Sequence, residues 1–222
     1  WLENVDKLNT NKSFNLIYNG ADPKRLRPNG KCLKHELGLS ENTKLFGMVG
    51  NFYRDPRKDQ ITLCKSLPKI FSQIENAHCV FVGRMEDGGE DKLTKCQEIC
   101  KEQKVHFLGE RSDIPDILAS LDVFVFSSLH EGLPLAASEA MLAGVALVVS
   151  NIEPLLEISR NGEFAEVFRI QDSNQLSDKV IKLFKNLDFR ENLKNRALQF
   201  AQNNFSIDAH LNKLTHLYGT LL

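Results

Sequence analysis

Apolar residues come in two rhythms along this chain. Short runs rich in Val, Phe and Leu fill residues 44–51 (KLFGMVGN), 78–84 (HCVFVGR), 105–110 (VHFLGE), 121–126 (LDVFVF), 145–150 (VALVVS) and 164–170 (FAEVFRI). Their near-continuous hydrophobicity predicts strands buried on both faces, the last of them at an edge. Between the runs the period lengthens to that of helices. Residues 60–72 place Ile61, Cys64, Leu67 and Phe71 on one face, with Asp59 as N-cap and a kink expected at Pro68. Residues 91–103 bury Leu93, Cys96 and Cys100, and a short capped helix turns Ile114, Ile117 and Leu118 inward. A short helix follows Ser150, and residues 172–187 carry Leu176, Val180, Leu183 and Phe184 on one stripe. A helix over residues 190–203 and a last stripe of Leu211, Leu214, Leu217 and Tyr218 complete the pattern. Ahead of the core, residues 14–22 read as a strand ending in an Asn19–Gly20 turn, and residues 31–38 as a helix stopped by Gly38. Strands alternating with helices over residues 44–186 predict an α/β fold with a doubly wound parallel sheet.

One unit stands out chemically. Residues 131–144 (EGLPLAASEAMLAG) form a turn and a small-residue helix between two buried runs, with Pro134 at the start and Gly144 past the end. The N-terminus of such a helix offers unpaired N–H groups and a positive dipole end, a setting suited to phosphate. Glu131 precedes the helix and Glu139 lies within it, roughly 8–10 Å apart along the axis at about 1.5 Å per residue. That span suits a diphosphate with a sugar at one end and a ribose at the other. Taken on spacing alone, Glu131 reads as a helix cap and Glu139 as a solvated residue. Arg54, Arg57 and Lys58 cluster in the loop after the first core strand, at the sheet end where α/β proteins bind ligands.

Composition narrows the function classes. The 222 residues are 42% hydrophobic, enough for a substantial core, and the formal net charge of −1 gives no field for nucleic acid or anionic membranes. Five cysteines without a CxxC pair point to a reducing compartment, not a disulfide framework. The six histidines form no HxxxH or HExxH pair, no Cys/His set has zinc spacing, and GxSxG and GxxxxGK[ST] are absent. His130, beside Glu131, reads as a half-exposed loop histidine. No apolar run reaches membrane-spanning length, and no signal peptide opens the chain.

Five segments carry a family likeness: NLIYNGAD, GNFYRDPRKDQ, HFLGERSDIPDILASLDVFVFSS, SSLHEGLPLAASEAMLAGVALVVS with its EX7E spacing, and NNFSIDAHLNKLTHLYGTLL. Together, over residues 14–222, they resemble the C-terminal half of a family 4 glycosyltransferase, a retaining enzyme of GT-B fold using nucleotide-sugar donors. The resemblance implies a Rossmann-like domain over residues 31–203, a lead-in over 1–30, and a closing helix over 204–222 that packs back on an N-terminal domain. It implies that Glu131 meets the sugar hydroxyls and Lys58 neutralises the leaving phosphate. Glu139 binds the ribose, N–H groups near Gly132 and Leu133 hold the diphosphate, Gly50 opens the phosphate loop, and Leu108 to Arg111 border the base. Two positions depart from the family. Asn51 stands where a basic residue follows the loop glycine, so Arg54 or Arg57 takes that role, the choice being left open. Glu153–Pro154 replaces a small glycine pair near the sugar.

The implied donor is a UDP- or GDP-sugar, with no metal cofactor. The acceptor sits on the N-terminal domain that this chain lacks, so the chain alone binds nucleotide and transfers little or nothing. The implied setting is cytoplasmic, with peripheral association at the inner membrane face through the other domain, in polysaccharide or glycoconjugate synthesis. Two other readings are a GT-B nucleotide-sugar epimerase, against which the EX7E context argues, and a non-catalytic nucleotide-sugar-binding or interaction domain, motivated by Asn51 and Glu153–Pro154.

Overall fold

The computed structural model describes residues 15–101 and 104–221. Six strands, β1 (Lys44–Val49), β2 (Ala77–Val82), β3 (Val105–Phe107), β4 (Val123–Phe126), β5 (Ala146–Ser150) and β6 (Glu166–Phe168), form one sheet in the order β3-β2-β1-β4-β5-β6. Every pairing is parallel. Nine helices accompany them among the described residues: α1 (Leu33–Glu36), α2 (Gln60–Gln73), α3 (Glu90–Ile99), α4 (Ile114–Ser120), α5 (Leu135–Leu142), α6 (Glu153–Ile158), α7 (Ser173–Lys185), α8 (Leu187–Asn204) and α9 (Ile207–Leu221).

The continuous hydrophobicity of the strands has its reason in two cores, one on each sheet face. Phe46, Met48, Val123, Val125, Ala146 and Val148 point to one, where Leu63, Leu67 and Ile70 of α2, Cys96 of α3 and Leu176, Val180, Leu183 and Phe184 of α7 cover them. Leu45, Phe124, Phe126, Leu147 and Val149 point to the other, covered by Ile117 and Leu118 of α4, Ala137, Ala140 and Met141 of α5, and Ala197 and Ala201 of α8. The small residues of α5 let its backbone lie close to β4 and β5. At the β6 edge, Glu166 turns inward and is held by Lys179 at 2.8 Å and Lys182 at 2.6 Å.

Several boundaries differ from the sequence expectation. Residues 15–20 form no strand, and Phe14 lies outside the described residues. This segment meets a helix start instead of the sheet: Ala21 bridges Ser206, with Ala21 N–H to the Phe205 carbonyl and Ile207 N–H to the Ala21 carbonyl, each 2.8 Å. α3 ends at Ile99, not at 103, where Cys100 leaves helical geometry; Glu102 and Gln103 lie outside the described residues. β3 is short because Gly109, at φ +64°, turns the chain away. Leu121 caps α4 and does not open β4, and α8 starts three residues early because the Asn186 side chain accepts from Phe189 N–H. α2 runs through Pro68 to Gln73. On α9, Leu211 and Tyr218 are 50% and 60% exposed. Among the described residues, no helix is long and apolar enough to cross a membrane.

Strand order reverses between β1 and β4. The loops leaving their C-terminal ends therefore diverge and open a crevice between them.

Candidate active site

The loop after β1 is held before any ligand is considered. Gly50 N–H donates to the Val82 carbonyl at 2.8 Å, and Gln60 on α2 donates its amide to the carbonyls of Gly50 (3.2 Å) and Asn51 (3.1 Å). Gly83 must be glycine: its φ is +152°, and a Cβ there would lie 2.4 Å from the Gly50 carbonyl oxygen. Asn51 joins this loop to the one after β2, donating to Glu86 at 2.9 Å and accepting from Arg84 N–H at 3.2 Å. At the far end Asp59 caps α2, its carboxylate accepting from Thr62 N–H and Oγ.

The loop then meets the end of β4. Lys58 pairs with Ser128 in an isolated bridge, Asp59 N–H donates to the Ser127 carbonyl at 3.0 Å, and Leu129 N–H to the Arg57 carbonyl at 2.8 Å. Lys58 is thereby aimed into the crevice, where its ammonium lies 2.6 Å from the Glu131 carboxylate and 4.1 Å from the centre of the Phe126 ring. Both side chains are largely buried, 14% and 11% exposed. Burial lowers the Lys58 pKa, and Glu131 offsets only part of that. The Ser128 hydroxyl contacts the same Glu131 oxygen at 2.5 Å and the Arg57 carbonyl at 2.5 Å. Ser150 secures Ser128 in turn, its hydroxyl donating to the Ser128 carbonyl and accepting from Ser128 N–H.

An open cleft of about 480 Å³ lies above this pair, lined by Asp55, Pro56, Arg57, His130, Glu131 and Gly132. Arg57 enters it with its guanidinium bound to Asp55 and stacked 4.8 Å over Tyr53. Arg54 is exposed and packs beside Gly88, outside the cleft lining. Of the two arginines that the sequence leaves open, Arg57 is the one at the cleft. His130 is exposed and lines it as well.

α5 begins at the cleft floor. Among the described residues the N–H groups of Gly132 and Leu133 have no acceptor, and nothing lies within 4 Å of where a Gly132 Cβ would be. Pro134 occupies the N-cap without a side-chain bond, so Glu131 does not cap this helix. Glu139 is half-buried on α5, and desolvation alone pushes its carboxyl above the usual range. It is not the solvated helix glutamate that spacing suggests.

The segment from Leu108 to Arg111 follows β3 at the same sheet end. Leu108 N–H is taken by the Phe81 carbonyl at 2.9 Å, and the Gly109 carbonyl accepts from Gly83 at 2.8 Å. The Arg111 side chain turns away from a ligand role: it forks onto Glu36 of α1 at 2.5 and 2.8 Å and onto Asp113. Any contact from Arg111 is thus left to its main chain. Sequence reading overlooks Ser128, a neutral residue at a strand end, and Lys92, whose partners are main-chain carbonyls. It also overlooks a surface set of Cys32, His35 and Glu41 with ligand atoms within 4.8 Å of one another, where exposed His35 and Glu41 are in contact outside the cleft lining.

Residues 31–200 match the family described as glycosyl transferases group 1. The chain is 29% identical over 218 residues to the Escherichia coli UDP-Gal:alpha-D-GlcNAc-diphosphoundecaprenol alpha-1,3-galactosyltransferase, covering 92% of this chain and 54% of that enzyme. It is 24% identical to the Bacillus anthracis N-acetyl-alpha-D-glucosaminyl L-malate synthase over 99% of this chain and 57% of the relative. The chain thus spans just over half the length of these curated relatives. Among solved structures, Anabaena HepE in complex with UDP and glucose superposes with a TM-score of 0.83 at 21% identity, over 93% of this chain and 57% of that one. Sucrose-phosphate synthase from Thermosynechococcus elongatus gives 0.81 at 22% identity over 99% of this chain and 56% of that one.

Proposed function

This chain belongs to the glycosyl transferases group 1, and from that membership we propose that it is the donor-binding domain of a retaining, metal-independent enzyme using a nucleotide-sugar, a UDP-sugar being the first to test. The observation that carries the reading is the Lys58–Glu131 pair, set beneath an open cleft at the N-terminus of α5. Glycosyl transfer leaves negative charge on the departing diphosphate and positive charge on the sugar. Lys58, Arg57 and the unpaired N–H groups of Gly132 and Leu133 are positive groups converging where that diphosphate would lie. The acceptor-only Glu131 carboxylate beside them suits sugar hydroxyls, and Glu139 suits the ribose. Glu131 in this role positions the sugar and does not donate a proton.

Donor arrival changes the partner of Lys58. Without ligand its charge is compensated by Glu131; with a diphosphate present the ammonium turns to phosphate and releases that carboxylate to the sugar. The acceptor, and a role in polysaccharide or glycoconjugate synthesis, belong to the whole protein and to this same proposal. The relative named for UDP-Gal supports UDP over GDP.

A thermal-shift screen of UDP, GDP and ADP with their hexose derivatives tests the reading. A ligand that binds only the folded chain stabilises it by mass action, by about 2.7 kcal/mol at a hundredfold excess over Kd, and so raises Tm. The expected result is a rise with UDP and a UDP-hexose. No shift with any nucleotide at millimolar concentration overturns it.

A further inference from the structure

Lys92 lies on the first turn of α3, in the next strand–helix unit after the one that carries Lys58. Its side chain does not run into solvent. The ammonium donates to the Asp55 carbonyl at 2.5 Å and to the Lys58 carbonyl at 3.1 Å. Burial lowers its pKa, although Asp55 and Asp59 lie near enough to favour the charge. The Ser128 hydroxyl and Leu129 N–H hold the intervening Arg57 carbonyl. Three carbonyls of one short loop are thus gripped by two elements, the segment just past β4 and α3.

The grip of α3 is itself fixed. Gly89, its N-cap, sits so close to the loop that a Cβ there would lie 2.2 Å from the Phe52 carbonyl oxygen. Glu86 N–H donates to that same carbonyl at 2.9 Å, and Cys96, one turn beyond Lys92, is fully buried. A loop between a strand and a helix is ordinarily the least constrained part of such a unit. This one is clamped at Lys58, whose ammonium meets Glu131 of the cleft lining.

We propose that Lys92 is a positioning residue: through the Asp55 and Lys58 carbonyls it fixes the loop that aims Lys58 at the donor diphosphate. The inference rests on the donor-binding reading above. Lys92 itself does not line the cleft; it acts through main chain. The loop carries Arg57 and Lys58, so releasing one end blurs the direction of both cations together. The ammonium also offsets the negative ends of two carbonyl dipoles that point at each other's neighbourhood. Methionine, of similar length, fills the space and makes neither bond.

The test uses the chain as it stands, with Lys92→Met and Lys92→Arg. Calorimetric titration with UDP and with uridine separates the diphosphate contribution from that of the nucleoside. Lys92→Met is expected to weaken UDP about tenfold, the loss of roughly one charged hydrogen bond, and to leave uridine unchanged. Amide exchange over residues 53–58 should accelerate in the same variant without ligand, while β1 and β4 keep their protection. Lys92→Arg keeps the charge and a donor, and is expected to recover most of the affinity. Equal weakening of UDP and uridine, or unchanged UDP affinity with unchanged exchange, overturns the role of Lys92. Failure of the wild-type chain to bind UDP, GDP or ADP overturns the donor-binding reading before any variant is made. Faster exchange in Lys92→Met would then identify a structural clamp alone and overturn the link to the diphosphate.

Discussion

Lys58 Nζ lies 2.6 Å from Glu131 Oε1, although 73 residues separate them. The contact joins the first strand–helix loop of the sheet to the fourth, across the point where strand order reverses. Burial lowers the lysine's pKa, and the Glu131 carboxylate offsets part of that.

A double-mutant cycle measures the coupling between the two groups. Glu131→Gln leaves Lys58 buried with a weaker acceptor and is expected to destabilise the ligand-free chain by about 1.5–3 kcal/mol. Lys58→Met in the same background removes the stranded charge and should restore part of the loss, giving a coupling on the order of 1–3 kcal/mol. Urea unfolding of the four proteins gives the result; strictly additive losses would mean that the two groups do not interact.

The two glutamates separate by ligand. Glu139→Gln should weaken UDP itself by roughly 10- to 150-fold, through a lost charged hydrogen bond to the ribose. Glu131→Gln should not weaken UDP, because it frees Lys58 for the phosphates, and should weaken only the UDP-sugar. Calorimetry with both ligands decides between this division and a shared role, which would give equal losses for both ligands in both variants.

Glu139 also has a pH signature. Its carboxyl is held above the usual range by burial, so between the ordinary value of 4.5 and its folded value the native chain keeps a proton that the unfolded chain has lost. The unfolded state then binds fewer protons, and stability falls as pH rises through that window. Glu139→Gln never ionises. It should match wild type below the ordinary glutamate pKa and be the more stable protein above the window, as read from Tm at about pH 4 and about pH 8. A variant less stable than wild type at the higher pH would assign Glu139 a structural bond.

Gly132 gives a steric test. No atom lies within 4 Å of its missing Cβ, so Gly132→Val should leave Tm nearly unchanged while projecting two methyls towards the unpaired N–H groups. UDP affinity should fall about tenfold or more. Gly83→Ala is the counterpart: its Cβ would strike the Gly50 carbonyl, and a loss of about 2–4 kcal/mol is expected in urea unfolding.

Local signals carried most of the fold. The VALVVS run became β5 within one residue, and Asp59 caps α2 through Thr62 as its place before an apolar stripe implies. The doubly wound sheet followed from the alternation alone. What stayed hidden depends on distant partners. Ala21 is held by Phe205, Ser206 and Ile207, which no nearby residue announces. The candidate site residues came from the family resemblance, since spacing alone reads Glu131 as a cap and Glu139 as solvated, and nothing in the sequence binds Lys58 to Glu131 or turns Arg111 towards Glu36. Lys92 looked like any lysine on a polar helix face because its partners are carbonyl oxygens, which every residue has.

The sheet terminates on both sides in strands of three residues, β3 and β6. An edge that short offers few open N–H and C=O groups to a second molecule, and on β6 another strand would cover from solvent the inward Glu166 and its partners Lys179 and Lys182. A wholly parallel sheet of strongly apolar strands is therefore guarded against sideways stacking at high concentration, and the guard consists of its brevity and one buried charge.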